Sequence, residues 1–339
     1  MTALGAASSA GTSAAPLGQL QRIQEPIRER LDAVSEEMWR AVATDAPLVG
    51  QISAHLMVMR GKMLRPTLVL LASAADESPE PAAVTLAAAV ELIHLATLVH
   101  DDAIDHSILR RGMPTLNSLF SHQISVIMGD FLYSTALTRL VGLGNLGALE
   151  ALTRASTEMT IGELRQLAVT TPLQFSEEDY FALIRSKTAS LMSAACEIGS
   201  LAGARSYRVP LARFGEQLGM AFQIIDDLLD YTEAAATVGK PTGLDLKEHK
   251  VTLPLIAALR VMPASARERV DALFDSEDPG DEVIGEVIGI VAENGGLDYA
   301  RATGARYAAE AEKTLAALPK TVARAALIES ISYVMERHS

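Results

Sequence analysis

The sequence predicts an all-α protein, a single large bundle of ten or more helices, on three observations. Apolar residues recur at steps of three and four, as in Leu20, Ile23, Ile27, Leu31, Val34 and Met38, which places them on one helix face. The chain is 49% hydrophobic but only 4% aromatic, so its apolar content is largely aliphatic, with Ala and Leu prominent, residues that favour helix over strand. No convincing period-two alternation marks a strand.

The elements follow in order. A first amphipathic helix covers 20–38, and a second surrounds 52–60. Gly61-Lys62-Met63-Leu64-Arg65-Pro66 comes next, and Pro66 suits the first turn of a helix over 67–75. Residues 76–81 are polar with two prolines and read as a loop. A long helix runs over 82–105. Arg110-Arg111-Gly112 and Pro114 interrupt the pattern. Helices resume over 116–140, 146–167, 177–202, 211–231 and 253–261, with three more towards the C-terminus. Residues 1–18 are rich in Ala, Ser, Thr and Gly and carry no Lys or Arg. They read as a flexible tail, not as a signal or transit peptide. Residues 19–339 read as one domain, because no low-complexity linker divides them.

The formal net charge is -13. Such a chain is a poor partner for nucleic-acid phosphates, although bound metal ions can invert a local field. The one cysteine, Cys196, allows no disulfide framework and fits a reducing cytoplasm. Charges break the apolar runs, so no transmembrane segment is expected. The closest approach, 81–99, contains Glu91 and His94 and reads as a buried helix of a soluble protein.

The chemistry concentrates in two triplets, Asp101-Asp102-Ala-Ile-Asp105 and Asp226-Asp227-Leu-Leu-Asp230. On a helix, positions three and four apart share a face. Asp101 and Asp105 therefore point together, with Asp102 close by. Three carboxylates at a helix C-terminus repel one another and the negative end of the dipole, so the arrangement calls for cations. Oxygen-only donors favour hard ions, and Mg²⁺ shares its coordination with waters and substrate phosphates. One such triplet is commonly a solvated helix end. The second, preceded by the apolar run Gly219-Met-Ala-Phe-Gln-Ile-Ile, makes that account a poor one for both. Gln223 shares the face of Asp226 and Asp227.

Basic residues flank the triplets: Lys62 and Arg65, Arg110 and Arg111, Lys187 beside Thr188, then Lys240 and Lys250. Arg forks match phosphate oxygens and Lys supplies a point charge. Any one of these is ordinarily a surface charge. Together with the triplets they suit a Mg²⁺–diphosphate site beside a second, metal-free diphosphate site.

In these motifs the sequence resembles the trans-isoprenyl diphosphate synthase (polyprenyl synthetase) family. The resemblance is carried by Gly61-Lys62-x-x-Arg65-Pro66, Glu91-Leu-Ile-His94, His100-Asp101-Asp102-x-x-Asp105, Arg110-Arg111-Gly112, Gly129-Asp130-Phe131-Leu132, Gly162-Glu163, Lys187-Thr188, Gln223-x-x-Asp226-Asp227-x-x-Asp230, Gly239-Lys240-x-x-Gly243-x-Asp245 and Thr252-Leu253-Pro254-Leu255. These fall in the family's order over about residues 60–255. Arg60, Met63 and His249 depart from its usual pattern, which often has Gly, Arg and Gly there.

The resemblance implies helices around a central cavity, the type I isoprenoid synthase fold. It implies condensation of an allylic diphosphate primer with isopentenyl diphosphate in a medium- or long-chain enzyme, with three Mg²⁺ per site and a homodimer. Lys62, Arg65, His94 and Arg111 are implied to hold isopentenyl diphosphate. Asp101, Asp105, Asp226, Asp227 and Asp230 are implied to hold the metal. Arg110, Lys187, Thr188, Gln223 and Lys240 are implied to contact the allylic diphosphate, with Lys250 nearby. Asp101, Asp102, Asp105, Lys187, Asp226 and Lys240 form the expected catalytic set.

Product length is expected to depend on Ile93, Ala96 and Thr97. Ala96 lies five residues before Asp101, about 7.5 Å along the helix. In this family a bulky aromatic there closes the tunnel, so small Ala96 predicts a product longer than farnesyl, unless Phe131 or Tyr133 closes the tunnel at geranylgeranyl length. A long product implies transient membrane contact. The competing functions are a terpene cyclase, whose second motif differs, a head-to-head condensing synthase with looser motifs, and a regulatory subunit of a heteromeric synthase, which tends to lose aspartates. None is lost here.

Overall fold

Hydroxyl and amide side chains open five of the helices. Thr115, Ser121, Asn145, Ser176 and Thr321 each accept a hydrogen bond from a backbone N–H in the first turn, satisfying donors that a helix start leaves open. The computed structural model describes residues 16–59, 61–110, 112–232 and 243–337. Its helices are α1 (Pro16–Gln24), α2 (Arg28–Val42), α3 (Pro47–Met59), α4 (Leu64–Ser73), α5 (Ala82–Ile104), α6 (Leu116–Leu119), α7 (His122–Leu143), α8 (Leu146–Leu167), α9 (Glu177–Ile184), α10 (Ser190–Leu201) and α11 (Arg208–Thr232), then α12 (Leu244–Lys247), α13 (Leu253–Leu259), α14 (Ala264–Phe274), α15 (Asp281–Glu293), α16 (Gly296–Leu315) and α17 (Val322–Glu336).

The expected all-α architecture is what the chain forms. The differences are local. The first described helix begins at Pro16, inside the stretch read as a tail, and residues 1–15 lie outside the described residues. The helix read over 20–38 is interrupted at Glu25–Ile27, where Pro26 tightens the backbone to a 3₁₀ turn. The helix read over 116–140 splits at Phe120 and Ser121, and Ser121 caps the longer part. Four helices, not three, follow residue 261. A two-residue hairpin, β1 (Leu109–Arg110) with β2 (Met113–Pro114), joins α5 to α6. Strands this short leave no alternation to detect.

The helix read over 177–202 is broken by a π-helical turn, Arg185–Ala189, which carries Lys187 and Thr188. Such single-turn bulges re-aim side chains at functional sites. Two glycines let neighbouring helices close on this one. A Cβ on Gly162 of α8 meets Ser186 Cβ at 3.0 Å, and a Cβ on Gly219 of α11 meets Ala189 Cα at 2.6 Å.

The interior holds two apolar clusters. One gathers residues of α2, α4, α5, α7, α8 and α10, among them Ile93 and Leu132. The other gathers the C-terminal half of α11 with α13 to α16 and Tyr180 of α9. The aspartate-bearing ends of α5 and α11 lie where these two clusters meet the polar cavity described below. By length and composition α5 (mean hydropathy 1.9) and α7 (1.3) could each cross a membrane. The apolar window of α5 is 67% buried in the bundle, whereas that of α7 is only 33% buried.

Gly219→Ala is expected to destabilise the fold by about 1–3 kcal/mol through overpacking against backbone, and to shift the Lys187–Thr188 turn. Chemical denaturation reads the first effect. An unchanged unfolding midpoint would show that the turn yields freely.

Candidate active site

The C-terminal end of α5 and the last two turns of α11 place five of the six triplet aspartates on one cavity of about 960 Å³. Asp101, Asp105, Asp226, Asp227 and Asp230 line it, together with Arg110, Lys187, Thr188, Gln223, Asp245, Glu248 and Lys250. The shared-face argument from spacing therefore holds for both motifs, and the fold brings the two faces to the same space.

The carboxylates have unequal surroundings. Asp102 is buried and accepts from Arg110 Nε at 2.7 Å. It is not on the cavity wall, and it acts by holding Arg110 there. Asp227 is buried and held from both sides: the Tyr180 hydroxyl donates to Oδ2 at 2.5 Å and Gln223 Nε2 to Oδ1 at 2.8 Å. Thr188 Oγ1 donates to Gln223 Oε1 at 2.8 Å, which links the π turn to α11. Asp230 accepts from the backbone N–H groups of Leu244 and Asp245 at 3.1 and 3.0 Å. Asp226 is half-exposed and pairs with Arg337 Nη2 at 2.7 Å.

The cavity lysines are also paired. Lys187 Nζ lies 2.5 Å from Glu163 and 3.2 Å from Gln166 Oε1. Lys250 Nζ lies 2.5 Å from Glu248. Burial and carboxylate neighbours therefore outweigh the cations and hydrogen-bond donors at Asp101 and Asp227. Burial, followed by Glu163 and Asp105, pushes Asp101 up to about 6 although Lys187 and Arg110 oppose it. Burial, with Asp226 and Asp230, pushes Asp227 up to about 7 against the bonds from Tyr180 and Gln223. Asp230 is raised mainly by burial, and Asp245 is raised well above the carboxylate range by burial and then by Asp227 and Asp230.

A hard cation fits this donor set, which is all oxygen. Among the described residues no three His, Cys, Asp or Glu side chains stand close enough to hold a metal unaided.

The other expected residues are placed less uniformly. Arg65 Nη1 and His94 Nε2 are 3.0 Å apart, so these two do come together. They are not on the cavity wall, and neither is exposed Lys62, whose Nζ lies 6.0 Å from the centre of the Tyr333 ring. Arg111 and Lys240, and with them Arg60, lie outside the described residues. Ile93 and Ala96 are fully packed in the first apolar cluster, with Phe131, Tyr133 and Phe222 against it, and the cavity wall does not reach them or Thr97. Thr97 Oγ1 donates to the His94 carbonyl at 2.8 Å.

Sequence reasoning missed Tyr180, Glu248 and Arg337. Tyr180 lies two turns before Lys187, on α9 just ahead of the π turn, and that spacing is the one local signal. Nothing in the spacing pairs Arg337 with Asp226, because the two are 111 residues apart.

Comparison with known proteins gives a consistent picture. The family model described as polyprenyl synthetase matches residues 46–291. An all-trans-nonaprenyl-diphosphate synthase (geranyl-diphosphate specific) of Rhodobacter capsulatus is 37% identical, covering 94% of this chain and 98% of that protein. Heptaprenyl diphosphate synthase component 2 of Geobacillus stearothermophilus is 35% identical over 94% of this chain and 99% of its own. Among solved structures, polyprenyl synthase from Caulobacter crescentus CB15, complexed with calcium and isoprenyl diphosphate, superposes with a TM-score of 0.89 at 33% identity, covering 94% and 98% of the two chains.

The raised carboxylates predict a pH effect on the metal-free protein. A group whose folded pKa lies above its unfolded value stabilises the fold at low pH, and that contribution is lost as pH rises through the folded value. For Asp101 and Asp227 the loss spans the range from the model-peptide 3.8 to about 6 and about 7. Between pH 5 and 8 the wild type should therefore lose stability relative to an Asp101→Asn/Asp227→Asn variant. Parallel stability curves for the two proteins would contradict this electrostatic account.

Proposed function

Because the chain belongs to the polyprenyl synthetase family, we propose that it condenses an allylic diphosphate with isopentenyl diphosphate, head to tail, to give a trans-polyprenyl diphosphate longer than farnesyl. The observation that carries this reading is the convergence of two intact aspartate triplets and their basic partners on one cavity. The named products of the relatives, nonaprenyl and heptaprenyl chains, support the length.

The allylic diphosphate sits between the triplets, with Arg110, Lys187, Thr188 and Gln223 toward its oxygens, and the family resemblance assigns Lys240 to the same diphosphate. Asp101, Asp105, Asp226, Asp227 and Asp230 would hold the metal, with Asp227 and Asp230 also engaged by protein donors that fix their helix end. Three Mg²⁺ per site is the stoichiometry of this reading. Magnesium, when bound, supplies positive charge to the leaving diphosphate. Lys62, Arg65, His94 and Arg111 hold isopentenyl diphosphate.

Cleavage of the allylic C–O bond releases pyrophosphate and leaves an allylic cation. The isopentenyl double bond attacks that cation, forming the new C–C bond. The proton lost in the last step goes to the released pyrophosphate. Arg110 and Lys187 stabilise the charge that builds on the leaving group. Apolar walls keep water from the cation.

A homodimer is part of the same reading. Ile127 and Val141 on α7, with Ile161, Leu164 and Leu167 on α8, are exposed apolar residues on neighbouring helices, and a second copy of this face covers them. The single, buried cysteine supports work in a reducing cytoplasm. A long product brings transient membrane contact.

Two experiments test this reading. The purified protein, incubated with Mg²⁺, labelled isopentenyl diphosphate and each allylic primer in turn, should yield products beyond fifteen carbons on the order expected of the family, and Ala96→Phe should shorten them by narrowing the space beneath Asp101. A folded protein that makes nothing with any primer would instead be a subunit of a heteromeric synthase, as one relative is named a component. Sedimentation should give a dimer, with Ile127→Asp/Leu164→Asp monomeric. A monomeric wild type would remove the dimer from this account.

A further inference from the structure

Arg337 follows the last turn of α17 and reaches the second aspartate triplet. Its Nη2 donates to Asp226 Oδ1 at 2.7 Å and to the Phe222 carbonyl at 3.0 Å. The guanidinium lies 3.7 Å from the centre of the Phe222 ring, a distance at which an Arg stacks on an aromatic face. The side chain is only 11% exposed, against 51% for Asp226, and its Nε is buried with no hydrogen-bond partner among the described residues. One turn earlier on α17, Tyr333 lies under Lys62. The end of this helix thus spans from Lys62 to Asp226.

The three aspartates of the motif differ in what holds them. Asp227 is bound by the neutral donors Tyr180 and Gln223, and Asp230 by two backbone amides. Asp226 is held by a full positive charge. A divalent ion arriving alone at Asp226 must share or take over a carboxylate that already has a cation, and the guanidinium repels it. An ion arriving with diphosphate brings its own negative charge, and the same guanidinium then attracts the complex.

We propose that Arg337 is the resident counter-ion of the second aspartate motif, occupying Asp226 until a metal–diphosphate complex takes over that carboxylate, so that metal loads there together with diphosphate and not alone. The proposal rests on the reading of the cavity as a metal–diphosphate site, and it adds a residue and an order of loading to that reading. Asp226 and Arg337 are one exchangeable pair. Phe222 is the platform that keeps the guanidinium within reach after exchange.

The test is calorimetric titration of Mg²⁺ into wild type, Arg337→Gln and Arg337→Lys, with and without inorganic pyrophosphate. Removing the charge should tighten binding of Mg²⁺ alone by about threefold or more. The lysine variant keeps the charge and should stay within about twofold of wild type. With pyrophosphate present, the gap between wild type and Arg337→Gln should close or reverse. No tightening in Arg337→Gln, with pyrophosphate-dependent binding intact, overturns the proposal and leaves the site reading standing. A wild type that binds no Mg²⁺ even with pyrophosphate overturns both.

Hydrogen exchange on the wild type supplies a readout that needs no variant. Mg²⁺ with pyrophosphate should loosen the amides at the end of α17, whereas the same Mg²⁺ alone leaves them protected. Equal effects, or no effect from either, overturn the proposal.

Discussion

Carboxylate crowding is the constraint on which the rest of this structure depends. Five triplet aspartates, with Asp245 and Glu248, share one partly buried cavity, and like charges a few ångströms apart in such surroundings repel by several kcal/mol. The protein holds four of the six triplet aspartates with separate devices. Arg110 neutralises Asp102 from the hairpin. Tyr180 and Gln223 grip Asp227 from two helices. The first amides of α12 hold Asp230, and Arg337 closes on Asp226 from the far end of the chain. Burial still outweighs these devices at Asp227, pushed up to about 7, and it pushes Asp101 at the end of α5 up to about 6.

The devices also explain why so many helices end at the cavity. Helix ends supply free amides, and connecting turns can be bent without loss of ladder hydrogen bonds. Asp230 exploits the first, at the start of α12. The π turn exploits the second: one extra residue in the turn sends Lys187 toward Glu163 and Gln166 on α8 while Thr188 bonds Gln223 on α11. Gly162 and Gly219 permit it, because any side chain there would strike the turn.

How much of this the sequence disclosed follows from the range of each interaction. The triplets were legible because helix periodicity is local, and the spacing of Asp101 and Asp105, or Asp226 and Asp230, needs no tertiary information. The long helices were legible for the same reason. The break at Ser121 was missed because apolar periodicity runs through it, and the π turn because one inserted residue hardly disturbs a pattern read over four turns. Tyr180, Glu163 and Arg337 act across 47, 24 and 111 positions, respectively, on Asp227, Lys187 and Asp226. Such partners are fixed by packing, which only the folded chain reveals. The expectation for Ala96 met a further difficulty. Small size predicts space, yet Phe131, Tyr133 and Phe222 pack against the cluster that contains it.

That last point separates two properties carried by one helix. In α5 the residue expected to govern length, Ala96, precedes Asp101 by five positions, about 7.5 Å along the axis. Asp101 lies on the polar cavity and Ala96 in the apolar cluster. A rigid helix keeps their separation fixed, so a change of side-chain volume at Ala96 falls on the apolar cluster at a set distance from the carboxylate. Phe222 bridges the two regions: it packs against the cluster that contains Ala96 and carries Arg337 on its ring. Phe222 is therefore a contact through which a change in the packing of the apolar cluster can reach the charge at Asp226.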